Sequence, residues 1–274
     1  MMTKKTVLIT GASSGMGEAA TLLFADQGWE VYAGARRVEK IPTGAGIHPV
    51  ALDVTDADSR ASFVRAAQAQ PTLDVLINNA GYGEYGPLEE VSSEKAHQQV
   101  ETNLFGAAEL TKLVLPTMRK QQFGRIVNIS SIGGDMYSAL GGWYHVTKHA
   151  LNVWSDVLDM EIRQFGLRSV IVEPGGTQSA WADIAMGSIK KNVSANTPYQ
   201  ALINGTLAMV ENVGSHSSAT SADLAKVFYR AATDERPHRR YYYSFSDRMM
   251  ARVARVHPGL YHNIVMRMTS RSMK

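Results

Sequence analysis

An apolar run that leads directly into a glycine-rich turn is the feature that most restricts the fold of this sequence. Residues 5–10 are predicted as a buried strand, Gly11, Gly15 and Gly17 follow in the turn, and residues 15–27 show helical spacing of apolar side chains. A strand that passes through such a turn straight into a helix is the opening unit of a parallel α/β fold. We therefore expect parallel strands with helices on both faces.

The rest of the chain continues this alternation of strand and helix. Further strands are predicted at residues 30–34, 49–52, 73–77, 125–129, 168–172 and, as a candidate seventh, 241–245. Helical patterns cover residues 56–69, 97–121, 144–165 and about 222–232. The alternation predicts a doubly wound α/β sheet of about seven parallel strands in a single domain, residues 1–274.

The glycine-rich turn is also a candidate site for a pyrophosphate. Glycines allow a tight turn and a close approach of the backbone, and a helix N-terminus presents unpaired N–H groups to an anion. Ser13 and Ser14 add hydroxyl donors. A purely structural turn is the alternative, but its position at the end of the first strand favours a dinucleotide site.

Two arginines follow the second strand, where the choice between the two nicotinamide dinucleotides is usually made. A carboxylate there would bind the ribose 2′-hydroxyl of NAD, but this chain has Arg36 and Arg37 after Ala35. Guanidinium groups suit a 2′-phosphate. The sequence therefore predicts NADP(H), with a solvated basic turn as the alternative.

A phenol and an ammonium share one face of the helix predicted at residues 144–165. Tyr144 and Lys148 are four residues apart, and a nearby ammonium is expected to lower the pKa of the phenol from its usual value near 10. Tyr144 could then exchange a proton with a carbonyl or alcohol oxygen. Such pairs also arise by chance, but Ser131 and Asn79 lie at the carboxyl ends of strands, where ligands of such sheets bind.

Six motifs occur together in this chain: TGASSGMG, NNAG, TNLFG, NISS, YHVTK and EPGG. With them the chain resembles the short-chain dehydrogenase/reductase family over residues 5–180 in motif and to about residue 245 in fold. The members it resembles most are NADP-dependent hydroxysteroid and retinol dehydrogenases. The resemblance implies a Rossmann fold and an oxidoreductase.

The same resemblance implies a catalytic tetrad of Asn103, Ser131, Tyr144 and Lys148. Tyr144 would be the acid or base, Ser131 would polarise the substrate oxygen, and Asn103 would support a water-linked proton relay. Lys148 would hold the nicotinamide ribose. The residues implied in cofactor binding are Gly11, Ser13, Ser14, Gly15, Met16, Arg36, Arg37, Asp53, Val54, Asn79, Ala80, Gly81, Tyr144, Lys148, Pro174, Gly175, Thr177 and Ser179.

Residues 175–198 form a segment of weak periodicity that holds Trp181, Ile184 and Met186. We interpret it as a substrate-binding lid, with an irregular exposed insert as the alternative. Ser131, Tyr144, Trp181 and Met186 are the expected substrate contacts. Together these features predict hydride transfer between NADP(H) and a carbonyl or alcohol of an apolar, steroid-, retinoid- or aromatic-ketone-like compound. The alternative is a catalytically silent NADP(H)-binding sensor or scaffold, which the intact tetrad disfavours.

Residues 246–274 are predicted as a basic, amphipathic C-terminal extension. Nine Lys/Arg and two Asp/Glu lie between residues 235 and 274, whereas the remainder is mildly acidic, so we expect no nucleic-acid partner. The helical pattern favours packing within the protein or between subunits, with contact to an anionic membrane as the alternative.

The resemblance implies a homodimer or homotetramer through the helices at 97–121 and 144–165, where Leu110, Val114 and Leu151 serve either the interface or the core.

The remaining expectations concern metals and location. His145 and His149 lie one helical turn apart, but no third ligand is evident, so we expect packing and no metal site. The chain has no cysteine, no apolar run near the roughly 18 residues that span a bilayer and no signal-like apolar start. We expect a cytoplasmic protein.

Overall fold

The computed structural model describes residues 4–178, 181–214 and 219–272. Seven parallel strands form one sheet in the order β3-β2-β1-β4-β5-β6-β9, and two short strands, β7 and β8, pair separately. The strands are β1 Thr6–Thr10, β2 Glu30–Ala35, β3 Ile47–Ala51, β4 Val75–Asn78, β5 Gly124–Ile129, β6 Leu167–Val172, β7 Thr177–Gln178, β8 Ala219–Thr220 and β9 Arg240–Tyr241. The predicted doubly wound parallel sheet is confirmed.

Helices cover both faces of the sheet. They are α1 Gly15–Asp26, α2 Ala57–Ala66, α3 Ser93–Val100, α4 Gly106–Gln121, α5 Gly142–Ile162, α6 Trp181–Asn192, α7 Gln200–Gly214, α8 Ser221–Thr233, α9 Phe245–Val256 and α10 Pro258–Ser272. Phe24 of α1 and Phe228 of α8 are fully buried on one face, and Phe63 of α2 and Leu110 of α4 on the other. The central strands are buried on both faces because each is enclosed by two helical layers.

The helix predicted as continuous over residues 97–121 is interrupted. A helix begins earlier, at Ser93, where the Ser92 hydroxyl accepts a hydrogen bond from the Lys95 N–H, and it ends at Val100. A π-helical turn, Glu101–Phe105, then leads into α4. Such turns widen the helix by one residue and are frequent at functional sites. Asn103 lies within this turn.

The second half of the chain differs more from the prediction. The seventh strand is only Arg240–Tyr241, because Ser244 caps α9 and the chain becomes helical at Phe245. Residues 181–192 of the expected lid form α6, and α7 has no counterpart in the prediction. Ser179 and the side chains of Trp181 and Met186 lie outside the described residues.

The C-terminal extension forms two helices, α9 and α10, on either side of His257. The Tyr261 hydroxyl accepts a hydrogen bond from the Tyr137 N–H at 3.1 Å and donates one to the Tyr137 carbonyl at 2.6 Å. α10 is thereby attached to the segment between β5 and α5. No helix in the described part of the chain combines the length and the apolar character needed to cross a bilayer.

Candidate active site

The glycine-rich turn after β1 is clamped to the end of β4. The Asn79 side-chain amide donates to the Thr10 carbonyl at 2.8 Å, and the Thr10 hydroxyl accepts from the N–H groups of Asn79 and Ala80, both at 2.9 Å. Gly11 has φ +70°, and a Cβ there would collide with the Asn79 amide and the Ala80 backbone. Asn79 and Ala80 therefore fix the shape of the turn.

The first turn of α1 fits the phosphate-binding role expected of it. Ser14 is the N-cap in extended conformation, but its side chain makes no capping hydrogen bond to α1. Gly15 has φ +60°, and a Cβ at Gly17 would collide with the Gly11 carbonyl. Gly17 has no room for a side chain, and the backbone conformation of Gly15 would be strained with most other residues. The turn therefore brings backbone N–H groups close to whatever binds at the helix N-terminus. This cradle fits the pyrophosphate of a dinucleotide.

Arg36 and Arg37 lie exposed after β2, on the side of the sheet that also holds Asp53. The Asp53 carboxylate accepts from the N–H and the hydroxyl of Thr55 at 2.9 and 2.7 Å. These hydrogen bonds, with smaller contributions from the charges of Arg36 and Arg60, hold the pKa of Asp53 below its usual value. The loop that would face an adenine is thus held by internal bonds, while Arg36 and Arg37 remain accessible to an anion.

The structure brings Ser131, Tyr144 and Lys148 together at the carboxyl end of β5. The Tyr144 side chain is buried and is hydrogen-bonded to the Ser131 hydroxyl. Ser131 in turn accepts a hydrogen bond from the Gly133 N–H at 3.0 Å and donates one to the Pro174 carbonyl at 3.4 Å. The phenol is therefore directed at the expected serine, and both hydroxyls are positioned to bind one substrate oxygen.

The sequence predicts a lowered pKa for Tyr144, and this prediction is wrong for the protein without a bound cofactor. Burial raises the pKa of Tyr144 to about 12, although the Ser131 hydrogen bond lowers it in part. Lys148 does not reverse the shift, because its ammonium donates to the Ile129 carbonyl at 2.8 Å and lies 5.9 Å from the centre of the Tyr144 ring. Burial also lowers the pKa of Lys148 to about 8. Desolvation outweighs the attraction between the two groups.

Asn103 braces the site from the π-helical turn. Its side-chain oxygen accepts from the Tyr82 N–H at 3.0 Å, and its amide donates to the Tyr82 carbonyl at 2.8 Å and to the Thr147 hydroxyl at 3.1 Å. A Cβ at Gly81 would press against the Asn103 oxygen at 3.0 Å and lie 3.8 Å from the Lys148 ammonium. Asn103 thus connects the segment after β4 to α5, and the water-linked relay stays a prediction.

Two residues that the sequence did not single out for the site contact it directly. The Tyr85 ring packs on Tyr144, with ring centres 5.6 Å apart. His145 lies 3.0 Å from the Gly133 carbonyl through Nδ1, and its Nε2 accepts from the Ser138 N–H at 3.1 Å. Burial lowers the pKa of His145, so its neutral form is favoured. The sequence carries no signal for Tyr85, and for His145 it predicts only packing on the helix.

Beyond β6, the EPGG segment meets the C-terminal extension. Glu173 is fully buried and accepts from the Arg240 guanidinium at 2.8 Å and from the Asn152 amide at 3.2 Å. Burial, and to a smaller extent the nearby Asp135, raise the pKa of Glu173 to about 7. A Cβ at Gly175 would collide with the Asp247 carboxylate of α9, so α9 begins against the segment implied in nicotinamide binding.

The remaining candidate residues are placed as follows. Thr177 begins β7 and donates from its hydroxyl to the Gly175 carbonyl at 3.2 Å. Val54 is buried against Gly106 at the start of α4. Within the ranges that the structure describes, no group of three or more His, Cys, Asp or Glu side chains is arranged to hold a metal ion.

The sequence and the fold of this chain are similar to those of known proteins. Residues 5–186 match the family model of the short chain dehydrogenases. The chain is 34% identical to the oxidoreductase YusZ of Bacillus subtilis, over 85% of this chain and 86% of that protein. It is 34% identical to the 3-ketodihydrosphingosine reductase of Bacteroides thetaiotaomicron, over 84% and 85%. A crystal structure of a short-chain dehydrogenase from Streptomyces avermitilis superposes with a TM-score of 0.80 at 28% identity, over 98% of both chains.

Proposed function

The chain belongs to the short-chain dehydrogenase family of oxidoreductases, and from this premise we propose that it transfers a hydride between NADP(H) and a carbonyl or alcohol group of an apolar compound. The observation that carries the proposal is the buried hydrogen bond between Tyr144 and Ser131, with Lys148 one turn away on α5. When bound, the cofactor supplies or accepts the hydride. The protein supplies the proton and the binding site for the oxygen.

In the direction of reduction, the Ser131 and Tyr144 hydroxyls both donate to the substrate carbonyl oxygen. As negative charge develops on that oxygen, the Tyr144 hydroxyl transfers its proton to it. Because the pKa of Tyr144 is raised to about 12, the phenol carries its proton throughout the neutral range, which suits the role of acid. Lys148, held by the Ile129 carbonyl, is available to hold a ribose hydroxyl beside the phenol.

NADP(H) is the cofactor that the two exposed arginines after β2 favour. A 2′-phosphate there would meet Arg36 and Arg37, and the absence of a carboxylate at the end of β2 removes the usual partner of the NAD ribose. The relative named 3-ketodihydrosphingosine reductase supports a ketone as substrate. Trp181 and Met186, in the segment proposed as a lid, remain the proposed contacts of the apolar part of the substrate.

The experiment that tests the proposal follows NADPH oxidation with a panel of apolar ketones and aldehydes. We expect turnover by the wild type, and a loss of roughly 10²- to 10⁴-fold in kcat/KM for Tyr144→Phe, which keeps the ring but not the proton. NADPH affinity should change little. Tight NADPH binding without turnover of any carbonyl would contradict the proposal and favour a silent sensor.

We also propose that the protein assembles through α5. Leu110, Val114 and Leu151 are buried in the core, so they do not form the interface. An exposed apolar stripe on α5 is the better candidate, and it consists of Val146, Val153, Val157 and Met160.

Contact of the basic helices α9 and α10 with an anionic membrane stays a second proposal, which vesicle co-sedimentation tests directly.

A further inference from the structure

Two short segments at the carboxyl ends of β5 and β6 determine where the Ser131 hydroxyl lies. The first segment is residues 131–135, and the second is residues 173–175. They are joined at the Pro174 carbonyl, which accepts hydrogen bonds from the Ile132 N–H at 3.0 Å and from the Ser131 hydroxyl at 3.4 Å. The direction of this hydroxyl toward the phenol of the site therefore depends on how firmly both segments are held.

The C-terminal part of the chain holds the second segment through a buried ion pair. Arg240, at the start of β9, donates to the Glu173 carboxylate at 2.8 Å and to the Asp156 carboxylate of α5 at 3.0 and 3.1 Å. The side chains of Arg240 and Glu173 are 9% and 0% exposed. The Glu173 N–H also donates to the Tyr241 carbonyl at 2.9 Å. Because Glu173 directly precedes Pro174, these bonds restrain the carbonyl that receives the serine hydroxyl.

A second ion pair holds the far end of the first segment. The Arg255 guanidinium of α9 lies 3.1 Å from Asp135 Oδ2, and the Asp135 side chain is 8% exposed. In the part of the chain that the structure describes, this oxygen is buried and accepts no hydrogen bond. The charge of Arg255 therefore offsets the cost of burying the carboxylate, and its removal should be unfavourable. Through this pair, α9 is attached to the residue four positions after Ser131.

The attachment continues into α10. The Tyr261 hydroxyl accepts a hydrogen bond from the Tyr137 N–H and donates one to the Tyr137 carbonyl, two residues beyond Asp135. Residues from β9, α9 and α10 thus hold the chain on both sides of the Pro174 carbonyl. A part of the sequence that lies far from the serine in the chain therefore restrains the two segments that orient it.

We propose that Arg240 and Arg255 are positioning residues for the reaction, which keep the Ser131 hydroxyl directed at Tyr144. The inference rests on the proposed function and gives the basic C-terminal part of the chain a role in it. Both arginines act through the two segments and not through contact with the reacting oxygen. A misplacement of about 1 Å in such a group can lower the rate on the order of 10²-fold. Loss of either ion pair should therefore lower kcat.

A double-mutant cycle with Ser131→Ala tests the inference in NADPH-dependent carbonyl reduction. Arg255→Met keeps a long side chain without its charge, and it should lower kcat roughly tenfold while the Kd for NADPH stays within about twofold. In the Ser131→Ala background, the same substitution should change kcat by less than about twofold, because the hydroxyl that Arg255 positions is gone. Arg255→Lys restores the charge and should recover most of the wild-type kcat.

An exposed arginine of the same helix provides the matched control. Arg252→Met makes the same substitution one turn earlier on α9 and should keep the wild-type kcat. Arg240→Met should follow Arg255→Met in both backgrounds, and because Arg240 is buried, the Arg255 variants decide the test if this protein does not fold. The inference is overturned if Arg255→Met keeps the wild-type kcat, lowers it equally with and without the serine hydroxyl, or is matched by Arg252→Met.

Hydrogen exchange separates these outcomes from failure of the proposed function. The backbone N–H groups of residues 132–136 are hydrogen-bonded, so their exchange reports without catalysis how firmly the segment is held. Exchange should be at least about fivefold faster in Arg255→Met and unchanged in Arg252→Met. If NADPH binds but no carbonyl is reduced, the proposed function fails, and this exchange pattern would still show that Arg255 holds the serine segment. Wild-type exchange in Arg255→Met overturns the positioning role whatever the turnover.

Discussion

The Lys148 ammonium lies 5.9 Å from the centre of the Tyr144 ring and donates to the Ile129 carbonyl at 2.8 Å. The two residues share a face of α5, as their spacing predicts, but the bond of Lys148 is made to the sheet. Because both groups are buried, the pKa of Tyr144 rises to about 12 and that of Lys148 falls to about 8. The first prediction follows from these opposite shifts.

Carbonyl reduction should weaken as the pH rises through about 8. Lys148 is charged below its pKa of about 8 and neutral above it, so its hold on a ribose hydroxyl weakens over this range, whereas Tyr144 keeps its proton up to about 12. The measurement is kcat/KM for NADPH-dependent reduction between pH 6 and 10. Lys148→Arg should move the alkaline limb upward because a guanidinium stays charged. A limb at the same pH in both proteins would exclude Lys148 as its source.

Arg36→Ala should weaken NADPH far more than NADH. A charge-assisted hydrogen bond contributes about 1.5–3 kcal/mol, so the KM for NADPH should rise roughly 10- to 100-fold. The KM for NADH should change less than about twofold, since NADH has no 2′-phosphate. Arg37→Ala is the matched variant, and comparing the two shows which arginine carries the contact. If the wild type prefers NADH, or if both cofactors lose affinity equally, the assignment of the 2′-phosphate to this turn is wrong.

His145→Ala should slow the reaction without weakening the cofactor. His145 joins Gly133, two residues after Ser131, to Ser138 in the segment before α5. Loss of two hydrogen bonds of about 0.5–1.5 kcal/mol each should loosen the segment that carries Ser131, and kcat should fall about tenfold. The Kd for NADPH, measured by fluorescence, should stay within about twofold. His149→Ala is the control and should keep the wild-type kcat. The hydrogen bond that the structure shows for the His149 side chain is made by Nδ1 to the His145 carbonyl, within the same helix.

Features that depend on residues close together in the chain could be predicted from the sequence, whereas features that depend on contacts between distant residues could not. The glycine turn at residues 11–17 and the spacing of Tyr144 and Lys148 are local, so they were found from the sequence. The contacts of Asn103 have no local signal, because they join it to Tyr82 and Thr147, which are 21 and 44 residues away in the chain. The pKa of Tyr144 was predicted in the wrong direction because burial is a property of the packed protein.

The free energy of unfolding should depend on pH through the titration of Glu173. Its pKa is about 7 in the folded protein against 4.5 without the fold, so the folded state binds more protons between these values, and stability falls as the pH rises through this window. Glu173→Gln keeps an acceptor for Arg240 but does not titrate. The stability of the wild type relative to this variant should therefore fall by on the order of 2 kcal/mol from pH 4.5 to 7, measured by urea unfolding.

An exposed carboxylate provides the control for this measurement. Glu39→Gln, at an exposed position after β2, should follow the wild-type curve across the same range. If the curves of the wild type and of Glu173→Gln stay parallel from pH 4.5 to 7, Glu173 is not the group that holds the extra proton.

The apolar stripe on α5 should hold subunits together. Val153 and Met160 are 64% and 72% exposed, although each is a large apolar side chain on a regular helix, and Val146 and Val157 continue the same stripe. A contiguous apolar patch of this kind marks an interface between proteins. Val153→Asp places a charge at its centre and should convert the oligomer to a monomer in sedimentation analysis. Leu22→Asp, at an isolated exposed leucine of α1, should leave the assembly unchanged. A monomeric wild type, or an assembly that tolerates Val153→Asp, would contradict the assignment of the interface to α5.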